Sequence, residues 1–341
     1  MYVSDSPPTD GSAVVSRNAR RATPRLHSRD FVDCDQLSGF MPACRAVFIQ
    51  LSPGKFRGRI TRLDLDRVSL SHIACSGDTL CRATGDPEAR HAVIPLPRGN
   101  ARHWNGHEIT RPVIVNPGRD REYVLTGHDM QALHIAFDPA AFQGWARIWT
   151  GRHWDEWECF WTGPQVLIPL PAESLASLYQ LLRLMAGSPE MAAAKEAGET
   201  IESCLACVLM DSIEKNSTFA KPVARTLLTH AHVIHRADEF LHDHGDRPVH
   251  LMEVCAAVGV SARCLEYAFK EICGVTPMRY LKARRLRLAR RLLRDGTPAG
   301  ISVKQAALQS GFVQMGRFST EYRKFFGEKP SETLCRNARP S

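Results

Sequence analysis

Two stretches near the carboxyl end of the sequence repeat one another. They are CAAVGVSARCLEYAFKEICGVTPMRYL, residues 255 to 281, and AALQSGFVQMGRFSTEYRKFFGEKPSETL, residues 306 to 334. Their first aligned glycines, Gly259 and Gly311, are 52 residues apart, and the Gly-x-x-Pro sequences that follow are 53 apart. A slip of one residue is what a loop tolerates. The chain therefore contains one small module twice, and this constrains its fold more than any other feature.

Each copy predicts two short helices joined by a tight turn. Gly259 can adopt the left-handed backbone conformation that ends a helix, and Ser261 can cap the next one. In the second copy Ser302 and Gln305 have the spacing of a capping box, and Gly311 supplies the turn. The turns and cores of the two units are expected from Gly259, Leu265, Phe269, Gly311, Phe318 and Tyr322.

A long helix is predicted between the copies. Thr276 can cap it, Pro277 suits its first position and Gly296 can end it. Its apolar stripe is Leu286, Ala289 and Leu293, and the arginines expected largely on other faces are Arg284, Arg287, Arg290, Arg291 and Arg294. Such a double helix-turn-helix can present two recognition helices to successive major-groove segments of DNA, about 34 Å apart. A generic helical bundle is the alternative, but it does not account for the repeated glycines and prolines.

Positive charge is concentrated at the same end of the chain. The whole sequence has 44 Lys/Arg and 36 Asp/Glu, a net charge of +8. Arg247 to Ser341 contains 18 Lys/Arg and 7 Asp/Glu, which leaves 26 and 29 for the remainder. A nucleic-acid partner requires such a basic end, although basic ends are also common and can serve solubility alone.

The preceding part of the chain changes character at Asp138-Pro139. Residues 30 to about 140 read as short, β-branched strands separated by turn sequences, which favours an antiparallel barrel or sandwich. Helical patterns follow. The first 28 residues are rich in Pro, Ser and Arg and are expected to be disordered. Without an apolar leader or a membrane-spanning run, a cytoplasmic location with reduced cysteines is expected.

The carboxy-terminal part, about 95 residues, strongly resembles the AraC/XylS family of transcription regulators. The resemblance is carried by VCAAVGVSARCLEYAFKEICGVTPMRYLKARRLRLARRLL and AALQSGFVQMGRFSTEYRKFFGEKPSETL. QLSPGKFRGRI, REYVLTG and the end of the second stretch are more weakly similar to the subgroup that contains the ethanolamine-utilisation regulator.

The resemblance implies an α+β chain with four parts. They are a disordered arm (1–28), a cupin-like antiparallel β-barrel sensor domain (29–170), a helical dimerisation region (171–245) and an all-α double helix-turn-helix domain (246–341). Its expected partners are double-stranded promoter DNA, RNA polymerase, an unidentified small-molecule effector and a second copy of the chain. Neither a cofactor nor a metal is expected, and the chain is not expected to be an enzyme.

The resemblance and helix geometry together assign the DNA-reading side chains. Arg263, Glu266 and Tyr267 are expected to face the groove in the first unit, where arginine suits guanine and glutamate can accept from cytosine. The matched positions of the second unit are occupied by small residues, Gly316, Ser319 and Thr320. Of the residues beside them only Arg317 is long enough to reach far into the groove, and Arg317 and Thr320 are the expected base contacts of this unit. The cations expected on the DNA backbone, or in structural ion pairs, are Lys270, Arg279, Arg285, Arg323 and Lys324.

The sequence departs from the family pattern at a few positions. His250 stands where a serine or threonine usually caps the first helix. The difference can lower the stability of the first turn of that helix by up to about 1 kcal/mol. Glu266 and Tyr267 occupy recognition-helix positions where many members have polar amides or arginine.

Other candidate sites are weaker. Trp145, Trp149, Trp154, Trp157 and Trp161 could form an aromatic cage, but their helical spacing favours packing or a dimer contact. His103 and His107 could bind a metal, although the closely spaced His-x-His of metal cupins is missing. Cys34, Cys44, Cys75 and Cys81 lack the Cys-x-x-Cys spacing of a zinc site.

Two other classes of protein stay open at this stage. One is a constitutive DNA-binding protein whose amino-terminal domain is purely structural. The other is a DNA-repair alkyl transferase, which carries the same double module and would need zinc and a reactive thiol.

Overall fold

The computed structural model describes residues 24–38, 40, 44–96, 103–118, 122–150, 161–187, 195–216, 221–245, 247–295 and 300–337. The strands are β1 (Arg25–Phe31), β2 (Cys44–Gln50), β3 (Gly58–Asp64), β4 (Val68–Cys75), β5 (Asp78–Gly85), β6 (Arg90–Pro95), β7 (His103–Trp104), β8 (His107–Glu108), β9 (Val113–Asn116), β10 (Glu122–His128), β11 (Gln131–Phe137), β12 (Val166–Pro169) and β13 (Lys221–Pro222). The helices are α1 (Cys34–Ser38), α2 (Pro139–Thr150), α3 (Ala172–Gly187), α4 (Lys195–Asn216), α5 (Arg225–Asp243), α6 (Leu251–Val258), α7 (Ala262–Ala268), α8 (Pro277–Asp295), α9 (Val303–Gln309), α10 (Met315–Phe326) and α11 (Pro330–Asn337).

The strands form two antiparallel sheets, which together with the helices packed on them are called the β domain below. One sheet has the order β1-β3-β4-β11-β6-β9-β12-β13, and the other has the order β2-β5-β10-β7-β8. Phe48 and Tyr123 from the second sheet share a buried core with Ile60 and Val93 from the first. The prediction of antiparallel sheets is confirmed, and the described strands form two facing sheets rather than one closed ring.

The middle strands of the larger sheet are buried on both faces, and successive side chains of each strand point to opposite sides. On β11, Ala132 faces the core between the sheets, whereas Leu133 and Ile135 face a second core with α2, α3 and α4. Leu178 of α3 and Leu205 of α4 belong to that second core. These helices therefore cover the outer face of the sheet.

The structure differs from the expected end of the amino-terminal arm and bears on the expected boundary at residue 245. Strand β1 begins at Arg25 and pairs with β3, so the expected disordered arm cannot extend to residue 28; residues 1–23 lie outside the described part of the chain. Helix α5 was expected in the dimerisation region, but its Ile234 and Leu241 share a core with Val254 and Leu265 of the first helix-turn-helix. The segment around Gly245 therefore joins two helices that share one core, to which Ile49, Leu80 and Val124 of the sheets also belong.

The carboxy-terminal domain has the predicted double helix-turn-helix. Gly259 and Gly311 have φ angles of 76° and 80° and make the turn in each copy. Ser261 accepts a hydrogen bond from the Cys264 amide at 3.2 Å, and Ser302 forms a capping box with Gln305. The matched Gly-x-x-Pro sequences end one helix with a left-handed glycine and begin the next with proline.

The expected core residues are all buried. Leu265 and Phe269 lie in the core of the first unit, and Phe318 and Tyr322 lie in the core of the second. Thr276 accepts from the Arg279 amide at 3.3 Å, as expected for the cap of α8. His250 has a compensation that the sequence did not predict, because its amide donates to the Glu253 carboxylate at 2.8 Å.

We expect Gly311→Ala to destabilise the second unit by about 1–3 kcal/mol, because the substitution forces an L side chain into the left-handed region. A Cβ there would also lie 2.7 Å from the Cβ atom of Pro248. Gly316→Ala is the matched control, because a Cβ at that helical position has no atom within 4 Å. Urea unfolding would measure both. Equal stability of the two variants would contradict the role of the Gly311 turn.

Candidate DNA interface

Helix α7 presents one polar face to solvent. Ser261 caps its first turn, and the helix continues beyond Ala268 into a single π turn, Phe269–Cys273. Leu265 and Phe269 hold its inner face in the core. The opposite face exposes the predicted DNA-reading residues together with one predicted backbone cation, and these are Arg263, Glu266, Tyr267 and Lys270.

These four exposed side chains interact in pairs along the helix. The Arg263 guanidinium lies 5.7 Å from the centroid of the Tyr267 ring, and the Lys270 ammonium is 2.9 Å from the Glu266 carboxylate. Exposed pairs of this kind contribute only a few tenths of a kcal/mol. Base edges or phosphates can therefore replace these partners at little cost.

Helix α10 exposes shorter side chains. Gly316, Ser319 and Thr320 lie on its solvent face, and the Thr320 hydroxyl donates to the Gly316 carbonyl at 3.0 Å. Arg317 is 72% exposed and lies 3.1 Å from Glu321, which also binds Lys282 at 2.8 Å. The second helix thus offers fewer free polar groups to base edges than the first.

The five predicted backbone cations separate into two groups. Lys270, Arg323 and Lys324 are exposed on the recognition helices. Arg279 instead donates to the Leu51 carbonyl of the β domain at 3.2 Å, and the half-buried Arg285 donates to the Val249 carbonyl at 3.0 Å. These two arginines make protein contacts that the sequence left open as an alternative to phosphate contact.

The β domain contacts the carboxyl end of each recognition helix. In the first unit, Gly106 approaches the π turn so closely that a Cβ would lie 2.9 Å from Ile272 Cδ1 and 3.1 Å from the Glu271 carbonyl oxygen. In the second unit, the Gly54 amide donates to the Phe325 carbonyl at 2.9 Å. The amino-terminal turns, which carry the predicted base-reading residues, stay exposed.

A buried carboxylate joins the β domain to the helices. Asp238 of α5 is 2% exposed and binds Arg82 of β5 at 2.8 Å, the Tyr280 hydroxyl at 2.6 Å and Arg284. Burial alone would raise the pKa of Asp238, but Arg284, Arg82 and the Tyr280 hydroxyl together hold it below its ordinary value of 3.8. The group is therefore ionised at neutral pH.

The basic face of α8 is covered by the β domain. Arg287 is ion-paired with Asp35 of α1, while Arg290 and Arg294 lie 3.5 Å and 3.2 Å from Asp33. The sequence placed these arginines off the core stripe without indicating a partner. They form a second set of ion pairs between the domains.

Among the other candidate sites, Trp161 and the four thiols are buried. Trp161 is buried edge-to-face against Phe137 and Phe142 at 4.9 Å and 5.4 Å, which confirms packing at this tryptophan. Trp154 and Trp157 lie outside the described residues. The thiols of Cys34, Cys44, Cys75 and Cys81 are buried, and burial raises the pKa of the Cys44 thiol to about 12.

The described ranges contain no group of three or more His, Cys, Asp or Glu that could hold a metal, so His103 and His107 have no third ligand among those residues. Within the same ranges, none of the helices combines the length and apolar character of a membrane span.

Comparison with known proteins identifies the carboxy-terminal domain. A family model described as a helix-turn-helix domain matches residues 254–336. A probable thc operon regulatory protein of Rhodococcus erythropolis is 39% identical over 102 residues, which are 30% of this chain and 31% of that protein. The XylDLEGF operon transcriptional activator 2 of Pseudomonas putida is 35% identical over 99 residues, 29% of this chain and 63% of that protein.

The carboxy-terminal domain belongs to the AraC/XylS family. The crystal structure of a probable AraC family transcriptional regulator from Rhodopseudomonas palustris is 39% identical, covering 32% of this chain and 99% of that chain with a TM-score of 0.29. The chain spans about a third of the length of the first curated relative that it matches. These AraC/XylS relatives are named as regulators and not as enzymes.

We expect Arg263→Ala to weaken binding to the DNA that flanks its own gene by roughly 1–3 kcal/mol, with little change on scrambled DNA. Arg323→Ala is the matched variant, which removes a cation from the second recognition helix. It should weaken binding to both DNAs alike and lower the steepness of log affinity against log salt by about 1. Fluorescence anisotropy would measure both variants. If only the Arg323 variant lost its preference for the flanking DNA, Arg323 rather than Arg263 would be the residue that reads the bases.

Proposed function

We propose that this protein is a sequence-specific DNA-binding transcription regulator whose first helix-turn-helix unit reads most of the operator sequence. The observation that carries the proposal is the exposed polar face of α7, on a capped helix of a duplicated AraC/XylS domain. Arg263 can bind guanine O6 and N7, and Glu266 can accept from cytosine N4. Arg317 and Thr320 add fewer base contacts from α10.

Binding to the phosphate backbone supplies the remaining affinity. The segment from Arg247 to the end of the sequence has 18 Lys/Arg against 7 Asp/Glu. Many of these cations on α8 are already paired with the β domain, so Lys270, Arg323 and Lys324 are the ones best placed to bind phosphates. Each phosphate contact fixes the register of the protein and makes binding salt-dependent.

We infer that the β domain is a cupin-like sensor that binds a small-molecule effector between its sheets. The buried pair His91–His134, whose ring nitrogens are 3.2 Å apart, supports a polar ligand there. Burial, with His91 beside it, lowers the pKa of His134 to about 3, so this ring is neutral in the cell. On this proposal α3 and α4 mediate a homodimer, and the protein acts in the cytoplasm on promoter DNA and RNA polymerase.

The coupling between effector and DNA rests on the docked arrangement of the two domains. The β domain contacts the π turn through Gly106 and the end of α10 through Gly54, so a change in the sheets can shift both recognition helices at once. An effector that binds one arrangement better than another shifts the population toward it. Docking of this kind pre-organises the two units for one DNA face.

The test of the function is fluorescence anisotropy of the full-length protein on the DNA that flanks its own gene, with scrambled DNA as the control. The expected result is tighter binding to the flanking DNA at every salt concentration, with affinity for both DNAs falling as salt rises. Equal affinity for both DNAs, or no binding at low salt, would contradict the proposal.

We expect the double variant Asp33→Asn, Asp35→Asn to weaken binding to flanking DNA more than binding to scrambled DNA. The change removes the carboxylates that hold Arg287, Arg290 and Arg294 and so loosens the docking that orients both units. The matched control is Asp295→Asn, whose exposed carboxylate pairs with Arg294 inside the helical domain. Limited proteolysis of residues between the domains would report undocking. Undocking without any effect on DNA affinity would refute the coupling.

A further inference from the structure

A buried histidine lies where α5 meets the second sheet of the β domain. His235 of α5 is 7% exposed and contacts Arg82 of β5 and Glu122 of β10. Its ring also lines a cavity of about 260 Å³ together with Glu122 and His232. A side chain that can change its charge near neutral pH is thus enclosed at the contact between α5 and the sheet.

Two side chains of α5 hold Arg82. The Arg82 guanidinium donates to His235 Nδ1 at 3.0 Å, and its Nε atom lies 2.8 Å from the Asp238 carboxylate. His235 and Asp238 are three positions apart on the helix, so both can face the same strand. The Arg82 side chain is only 12% exposed, so little water is available to replace either acceptor. These three residues are called the Arg82 joint below.

The Arg82 joint fixes the protonation state of His235. A guanidinium has five N–H donors and no acceptor, and it stays charged in proteins. His235 Nδ1 must therefore carry a lone pair, which leaves the one ring proton on Nε2. That N–H donates to the Glu122 carboxylate at 2.8 Å, and the Glu239 carboxylate lies 3.2 Å away. These are the contacts of a neutral imidazole.

The groups around His235 affect its pKa in opposite directions. Burial lowers the pKa of His235 below its ordinary value of 6.5 and Arg82 lowers it further, whereas Glu122, Glu239 and Asp238 oppose this shift. The other titratable neighbours are Arg284 and Tyr280 of α8, which bind Asp238, and the exposed His232 of α5. The docked ring is therefore harder to protonate than a histidine in water.

We propose that the Arg82 joint is a pH-sensitive contact, in which a proton on His235 Nδ1 displaces Arg82 and loosens α5 from the β domain. The proton and Arg82 compete for one lone pair, because a protonated ring presents an N–H where the guanidinium presents another. Repulsion between the two positive charges is strong in such a buried setting. Asp238 is then the one member of the joint that still attracts Arg82.

The direction of the pH dependence follows from the difference between the docked and the open ring. The docked His235 binds a proton less readily than the same ring in water, so acid favours the open form. Docking is unaffected well above the ordinary pKa of 6.5 and weakens as the pH falls below it, by at most about tenfold per pH unit for one proton. If the function proposed above holds, acid also weakens binding to flanking DNA.

The test is hydrogen–deuterium exchange of the full-length protein without DNA, measured in peptides from α5 between about pH 8 and about pH 5.5. Wild type and His235→Gln are compared at the same pH, which cancels the intrinsic effect of pH on exchange. Glutamine keeps an acceptor for Arg82 and a donor for Glu122 but takes up no proton. We expect a constant ratio of exchange rates above about pH 7. Below about pH 6.5, α5 of the wild type should exchange faster, by up to about tenfold per pH unit.

Two further variants distinguish a pH-sensitive contact from a structural histidine. Glu122→Gln keeps an acceptor for His235 Nε2 but removes a charge that favours the protonated ring, so the acid opening should move to lower pH. His232→Gln removes an exposed histidine from the same helix and should leave the wild-type response unchanged. Circular dichroism at about pH 8 would show whether each variant is folded. If His235→Gln does not fold, the shift in Glu122→Gln relative to the wild type still tests the proposal.

Four results would overturn the proposal. They are an acid response of His235→Gln equal to that of the wild type, no opening of α5 in the wild type down to about pH 5.5, an opening that Glu122→Gln leaves in place or moves to higher pH, and loss of the response in His232→Gln. Because the samples contain no DNA, each result is independent of whether the protein regulates transcription.

Discussion

The rest of the structure depends on the buried carboxylate of Asp238, which connects α5, the β domain and α8. It lies on α5, binds Arg82 of the β domain, and holds Tyr280 and Arg284 at the beginning of α8. Removing one partner of a buried ion pair leaves an uncompensated charge and costs about 3–5 kcal/mol. The position of α8, and with it the spacing of the two helix-turn-helix units, therefore depends on this one acid.

The two helix-turn-helix units are attached to the β domain by different forces. Ile49, Leu80 and Val124 of the sheets share one apolar core with Phe269 and Ile272 of the first unit. Among the described residues, the core of the second unit is formed within the helical domain. The second half of the helical domain contacts the β domain through a hydrogen bond from Gly54 and through the ion pairs of Asp33. The β domain thus shares an apolar core with the unit that is expected to read the bases.

Local chemistry made much of the helical domain predictable. The glycine turns, the caps at Ser261 and Ser302 and the buried Leu265 and Phe318 all depend on residues within a few positions of one another. The partners of the α8 arginines could not be predicted in this way, because Arg287 and Asp35 are 252 positions apart. The contacts of helix α5 could not be predicted for a related reason: a turn with glycine and proline looks the same between two domains as between two helices that share a core.

The difference in attachment has a consequence for how the molecule opens. Local opening in proteins occurs in cooperative units, and those with the fewest apolar contacts to their surroundings open first. The second unit, held through Gly54, Asp33 and their partners, is such a unit. The molecule can therefore release one of its two DNA-binding units while the other stays fixed to the sheets.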